Sequence, residues 1–240
     1  MKYFVGCSGW KYDHWKGSFY PEDVAKKRWL TYYSTQFNTV EVNATFYGSM
    51  KEKTFRKWYD STEDNFIFTL KGSRFVTHRK KPEEAGESVE KFYNRSKVLG
   101  DKLGCILWQL KPSFKKDLER LKAFCDLLDN SFRNVIEFRH PSWFDEDVYS
   151  LLKDKKIGFC SISTPDLPDI VTATTNFAYI RFHGSKSWYR SEYDEDELNS
   201  YAEKIKELNV DEVYCYFNND AEGYAPHDAQ KLKEILEENQ

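Results

Sequence analysis

Residues 177–185 read FAYIRFHGS. The stretch opens on rings and aliphatic groups and closes on Arg181 and His183, two positions apart. Side chains two apart on a strand share one face, so a strand here is apolar at its start and charged at its finish. The same pattern recurs along the chain. Glu41 with Asn43, Glu137 with Arg139, and Tyr216 with Asn218 each stand two apart at the end of an apolar run, and Lys71 and Gln109 close two more. Strand candidates begin near Tyr3, Thr39, Phe66, Gly104, Asn134, Ile157, Phe177 and Glu212. Their spacing of about 30 residues is that of a strand-crossover-strand unit. Eight such units in 240 residues predict an α/β fold, a single (β/α)8 TIM barrel spanning residues 1–240.

The segments between the strands carry helical spacing. Apolar residues fall on one helical face at Phe114, Leu118, Leu121, Cys125 and Leu128, at Val89, Phe92 and Leu99, and at Leu198, Tyr201, Ile205 and Leu208. Ser49 with Glu52, and Asp194 with Glu197, match capping boxes. Between strands six and seven, Pro165 and Pro168 leave room only for a short or irregular helix in the crossover 164–176. The long segment 182–194, with Trp188, Tyr189 and Tyr193, suits a loop over the barrel mouth. No linker or internal repeat suggests a second domain.

Composition narrows the class. Thirty-six basic against 39 acidic residues leave a net charge of −3, which excludes a general polyanion binder and makes any nucleic-acid contact local. No apolar run approaches the roughly 20 residues that span a bilayer, and Met1-Lys2-Tyr3 leads straight into a strand. No membrane partner is expected, and the chain reads as a soluble cytoplasmic protein. Of its five cysteines, Cys7, Cys105, Cys160 and Cys215 sit inside apolar runs with no CxxC neighbour. They read as small buried hydrophobes of a reducing compartment.

A barrel interior filled with aliphatic groups needs no charges at its rim, and burying one unpaired costs several kcal/mol. Two outcomes offset that cost. The groups form an internal ion-pair network, Glu41 with Arg181 and Glu137 with Arg139, or they line a ligand site at the C-terminal mouth, where barrel active sites lie. Glu41 and Glu137 against Lys71, Arg139 and Arg181 leave one excess positive charge, before His183 or its neighbour His140 is protonated. That balance favours an anion, and arginine forks match phosphate or carboxylate oxygens.

At these residues the chain resembles the YecE-like family, a domain-of-unknown-function group whose members form TIM barrels. The resemblance is carried by VGCSGWKYDHWKGSFYP (5–21), VEVNATFY (40–47), LGCILWQLKPSF (103–114), IEFRHPSWF (136–144), YIRFHGS (179–185), and YCYFNND with Gly223 (214–223). The family often has Thr where Cys7 stands and Pro where Lys111 stands, so neither residue takes a shared role. The resemblance implies the barrel and a polar cavity at Glu41, Asn43, Gln109, Glu137, Arg139, His183, Asn218 and Asn219. It implies no established reaction. Likeness to barrels of the endonuclease IV and sugar-isomerase type is one of fold alone.

Three functions compete. The first is a metal-independent acid–base enzyme acting on a phosphorylated or otherwise anionic small molecule. In it Arg139 and Arg181 hold the anion, Glu137 or Glu41 is the base, and His183 is the proton donor. With no HxH or HExxH and arginines beside the glutamates, no metal or other cofactor is expected. A variant makes Lys71 a Schiff-base lysine. The second is a nucleic-acid or nucleotide-phosphate binder that uses Trp10, Trp15, Trp143 and Trp188 as stacking platforms. There the run His78-Arg79-Lys80-Lys81, with Lys111, Lys115 and Lys116, supplies positive charge. The third is a scaffold or regulator whose cavity is a relic.

Overall fold

Runs of Val, Ile, Leu and aromatic residues are stable as strands when helices cover a parallel sheet from outside. A computed structural model, which describes residues 1–79 and 81–238, shows β1 (Lys2–Cys7), β2 (Thr39–Val42), β3 (Ile67–Lys71), β4 (Leu103–Gln109), β5 (Arg133–Glu137), β6 (Gly158–Ser163), β7 (Phe177–Phe182) and β8 (Glu212–Phe217). Each begins within one residue of the position expected from the sequence. The strands pair in parallel in the order β1-β8-β7-β6-β5-β4-β3-β2. A bridge between Ser8 and Glu41 joins the two ends, so the sheet curls into a nearly closed barrel.

The β1–β2 seam is held by atoms that only certain residues supply. A Cβ on Gly6 would stand 2.2 Å from the Thr39 carbonyl oxygen, so glycine alone permits this approach. The Tyr33 hydroxyl accepts from the Cys7 amide at 2.7 Å and donates to the Thr39 carbonyl at 3.1 Å.

Outside the barrel lie α1 (Trp29–Gln36), the single turn α2 (Ala44–Tyr47), α3 (Glu52–Asp60), α4 (Gly86–Ser96), α5 (Leu118–Cys125), α6 (Glu146–Asp154), α7 (Glu195–Lys206) and α8 (Ala225–Glu237). The Asp194–Glu197 capping box forms, both of its bonds at 2.9 Å. The Ser49–Glu52 box does not. Lys51 occupies the cap of α3 without a side-chain bond, and the Ser49 hydroxyl instead accepts from the Arg95 guanidinium. Phe114 precedes α5, which Asp117 caps through the Arg120 amide, and Leu99 lies beyond the end of α4. Between β6 and β7 the crossover 164–176 is irregular, as the sequence allows, and forms a strap without a helix. Its backbone is tied to β6 by hydroxyls. The Thr172 amide donates to Ser161 Oγ at 3.1 Å, while Thr174 Oγ1 accepts from the Phe159 amide at 2.8 Å and donates to the Ile157 carbonyl at 2.6 Å. Prolines without N–H groups rule out regular helical bonding here.

The barrel interior is layered along the strand direction. Phe4, Phe177 and Tyr214 fill the N-terminal end, with the Phe4 and Tyr214 rings stacked at 4.7 Å. Above them lie Tyr179 and Tyr216, and the Tyr216 hydroxyl bonds Thr39 at 2.7 Å and Thr69 at 2.8 Å. The charged residues form the next layer. All five cysteines are free and buried. Among the described residues, no helix is long and apolar enough to cross a membrane.

Candidate functional site

Period two continues upward from the tyrosine layer and delivers Glu41 from β2, Glu137 from β5 and Arg181 from β7 to one level. All three side chains are 0% exposed. Arg181 Nη2 lies 2.7 Å from Glu41 Oε1, and its Nη1 pairs with Glu137 Oε2. Arg139 Nε pairs with the other Glu137 oxygen. Glu41 also accepts from the Tyr179 hydroxyl at 2.5 Å and from Ser8 Oγ at 2.7 Å. Both ion pairs that the sequence offers as an internal network are therefore made. Two guanidiniums and two carboxylates sum to zero.

This pairing sets the protonation states. Burial alone would raise the Glu137 pKa, but Arg139, Arg181 and Lys71 outweigh it and hold the carboxyl down at about 2. His183 is fully buried. Its Nε2 faces Arg139 Nη2 at 2.9 Å and Arg181 Nη1 at 3.3 Å, so that nitrogen accepts and Nδ1 carries the proton. Nδ1 meets the Asn218 side-chain amide at 3.1 Å, which requires the amide oxygen on that side. Burial first, then Arg139, Arg181 and Lys71, push the imidazole well below its ordinary pKa. The ring is neutral.

Above this floor opens a cavity of about 640 Å³. Its cations are Lys71, Arg74 and Arg139, its rings are Tyr12, Phe46, Tyr47 and Tyr189, and Asn43, His78, Gln109 and Asn218 complete the wall. No Asp or Glu lines it among the described residues. Lys71 ends β3 with 8% exposure and places Nζ 4.5 Å from the Phe46 ring centre. Burial, then Arg181, lower its pKa to about 8 against the opposing pull of Glu137 and Glu41. Arg139 uses three of its five N–H groups on Glu137, His183 and the Tyr189 hydroxyl, which leaves two without a partner among the described residues. Asn43 gives its amide to the Ser8 carbonyl at 3.1 Å, and its buried Oδ1 has no partner among the described residues.

The loop after β7 does reach over the mouth. Tyr189 adopts a left-handed backbone (φ 62°), donates its amide to the His183 carbonyl at 2.5 Å and meets Arg139 at 3.2 Å through its hydroxyl. Trp188 lies beside it, with the Arg139 guanidinium 4.9 Å from its ring and its indole N–H on Asp166 at 3.1 Å.

Lys71, Asn43, Gln109, Arg139 and Asn218 thus share the mouth, while other expectations are corrected. Glu41, Glu137, Arg181 and His183 form the buried floor and not the cavity wall. Arg181 bridges two glutamates, Arg139 and Arg181 hold Glu137 in its charged form, and His183 turns an unprotonated Nε2 toward both guanidiniums. His140 caps the turn Pro141–Trp143, accepting from the Ser142 amide at 3.2 Å. Asn219 is buried and braces the loop, donating to Asp228 at 2.7 Å and to the Ser191 carbonyl at 2.9 Å. Trp143 is core, its indole bonded to the Phe114 carbonyl at 2.6 Å. Trp15 is buried against Asp220 at 2.7 Å. Trp10 faces a separate hollow walled by Lys11, Lys26, Lys27, Lys53 and Lys57. In the basic run, Lys80 lies outside the described residues, Lys81 pairs with Glu84 at 3.0 Å, and Lys116 pairs with Asp145 at 2.8 Å.

Sequence reasoning missed Ser8 and Tyr179, although both stand in the inward register of their strands. Tyr12, Phe46, Tyr47 and Arg74 follow strand ends, where the two-residue period no longer reports direction. Among the described residues no group of three or more His, Cys, Asp or Glu is placed to hold a metal ion.

A family model described as protein of unknown function DUF72 matches residues 4–240. The UPF0759 protein YunF of Bacillus subtilis is 27% identical over 98% of this chain and 94% of its own length. The UPF0759 protein YecE of Escherichia coli is 31% identical over 48% of this chain and 43% of its own. A solved DUF72 family structure from Thermotoga maritima superposes with a TM-score of 0.89 at 31% identity, over 99% of this chain and all of that one. Another from Enterococcus faecalis reaches 0.85 at 19% identity over 98% and 95%, which shows the shared fold. The chain belongs to the DUF72 family of proteins of unknown function.

Proposed function

We propose that the barrel mouth binds a small anionic molecule, a phosphate ester or a carboxylate, and that any proton transfer there falls to groups lining the cavity. One observation carries this reading. The four-member network below is neutral, so the charges of Lys71 and Arg74 stand unbalanced in a cavity whose described wall holds no carboxylate. The reading needs no metal, and the three cations at the mouth would repel one. A ligand oxygen would gain charge-assisted hydrogen bonds worth about 1.5–3 kcal/mol each. Calorimetry with inorganic phosphate and pyrophosphate tests it. Binding is expected at low salt, with Arg74→Ala weakening it at least tenfold and leaving the floor intact. Failure of both anions to bind, or equal binding by Arg74→Ala, overturns the reading.

A second reading is favoured by Tyr47 and Tyr189, cavity-wall rings that remain 67% and 40% exposed. Exposed rings beside cations suit stacking on a base and contact with its phosphate. Here the aromatic platform is tyrosine and not the tryptophans expected from the sequence. Single-stranded DNA affinity that falls steeply with salt supports it; no affinity at low salt removes it.

A further inference from the structure

We infer that Lys71 is an imine-forming lysine, whose amine attacks the carbonyl carbon of a small anionic aldehyde or ketone held in the barrel mouth. The inference rests on the anion-binding reading above and adds to it the reacting group and the substrate class.

Among the described residues two lysines are buried, and they differ in kind. Lys102, 1% exposed, gives Nζ to the Tyr59 and Thr62 carbonyls, each at 2.8 Å. Its ammonium is satisfied by the fold. Lys71 has no such shell. Among the described residues Nζ makes no ion pair, and its contact is the face of Phe46. The nearby carboxylates, Glu41 and Glu137, are already held by Arg181 and Arg139. The surroundings that bear on this amine are Glu41 from β2, Glu137 and Arg139 from β5 and its extension, Arg181 from β7, and His78 with Arg74 after β3. Cations outnumber carboxylates there. With a pKa of about 8, about a quarter of the amine is neutral at pH 7.5, against roughly one part in a thousand for an ordinary lysine. A neutral amine that opens on a cavity and lacks a structural task is a nucleophile.

The step balances without a co-reactant. The nitrogen lone pair forms a C–N bond as the carbonyl π bond breaks, and one amine hydrogen moves to the oxygen to give a carbinolamine. The C–O bond then breaks, and the hydroxyl leaves with the second amine hydrogen as water, giving C=N. Arg74 and the remaining two N–H groups of Arg139 take the anionic group. The imine then withdraws electrons from the adjacent carbon.

Pyridoxal phosphate, an anionic aldehyde with a visible imine band, tests this directly. The full chain is incubated with it, reduced with borohydride and mapped by peptide mass spectrometry. Lys71 is expected to be modified at least tenfold faster than any other lysine, with a rate that rises through about pH 8. Pyridoxal without its phosphate should react at least tenfold more slowly at this position, and excess inorganic phosphate should suppress the reaction. Lys71→Arg, folded by circular dichroism, should lose the fast phase. Adducts scattered over surface lysines, with Lys71 no faster than they are, overturn the imine. If phosphate still binds calorimetrically in that case, only the imine falls. If phosphate does not bind either, the anion pocket falls with it.

Discussion

Arg181 brings a charge to a fully buried position, and its two glutamate partners come from strands far from it in sequence. Removing one member of such a buried network leaves the others unpaired, at a cost of about 3–5 kcal/mol. Arg181→Met is therefore expected to lose stability on that scale, because Glu41 and Glu137 are left without the cation between them. Adding Glu41→Gln should recover part of the loss, since a neutral amide needs no counter-charge while Glu137 keeps Arg139. Urea denaturation of the single and double variants checks both statements. Both glutamates and Arg181 are legible in the sequence as inward-facing residues, and so are the two pairs as candidates. Which of them would stay open to a ligand is not legible, because the decision is made by distances between β2, β5 and β7.

At the scale of elements, the seam between β1 and β2 is the place where the barrel closes, and its geometry depends on a missing side chain. Gly6→Ala would put a methyl group 2.2 Å from the Thr39 carbonyl oxygen. Backbone on one side or the other must shift, so a loss of about 1–3 kcal/mol is expected. Gly48→Ala is the control. Its nearest neighbour would be the Met50 terminal methyl at 3.8 Å, and its effect on the denaturation midpoint should be small. Strand starts were readable because apolar runs and the two-residue period are local. The strap 164–176 was readable only as irregular. Prolines announce that a helix is interrupted, whereas the Ser161 and Thr174 bonds that replace it join segments ten or more residues apart. The capping boxes make the same point. Asp194 and Glu197 form one, while the Ser49 motif is drawn off by Arg95 on another helix.

For the molecule as a whole, three buried groups shape stability against pH. His183 is pushed well below its ordinary 6.5, so its contribution is present above 6.5 and is lost as pH falls, when the unfolded chain takes up a proton that the native ring refuses. Glu137 is held at about 2 against 4.5. Its share is present above 4.5 and lost as pH falls toward 2, on the order of 3 kcal/mol. Asp228 opposes them. Burial raises it from 3.8 to about 6, so its share is present below 3.8 and lost as pH rises through 6. His183 and Asp228 offset one another between about pH 6 and 4.5, so urea midpoints should change little there and decline below 4.5, where Glu137 joins His183. His183→Gln, whose side-chain oxygen can still accept from Arg139, removes the offset, so its midpoint should rise as pH falls from about 6 to 4.5. An unchanged profile would mean that the imidazole is already protonated in the native state.

The order of residues alone specifies the barrel, the starts of its strands, the burial of its cysteines, and the set of polar residues that climbs toward one mouth. Each of these follows from short-range periodicity and from the cost of burying charge. That Arg181 closes onto Glu41 and Glu137, that Trp143 and Asn219 turn into the core, and that Arg74 and Tyr47 join Lys71 at the opening is settled by the folded arrangement. Pairing across a barrel depends on side-chain reach between strands distant in sequence, and loop residues beyond a strand end have no period to declare their direction.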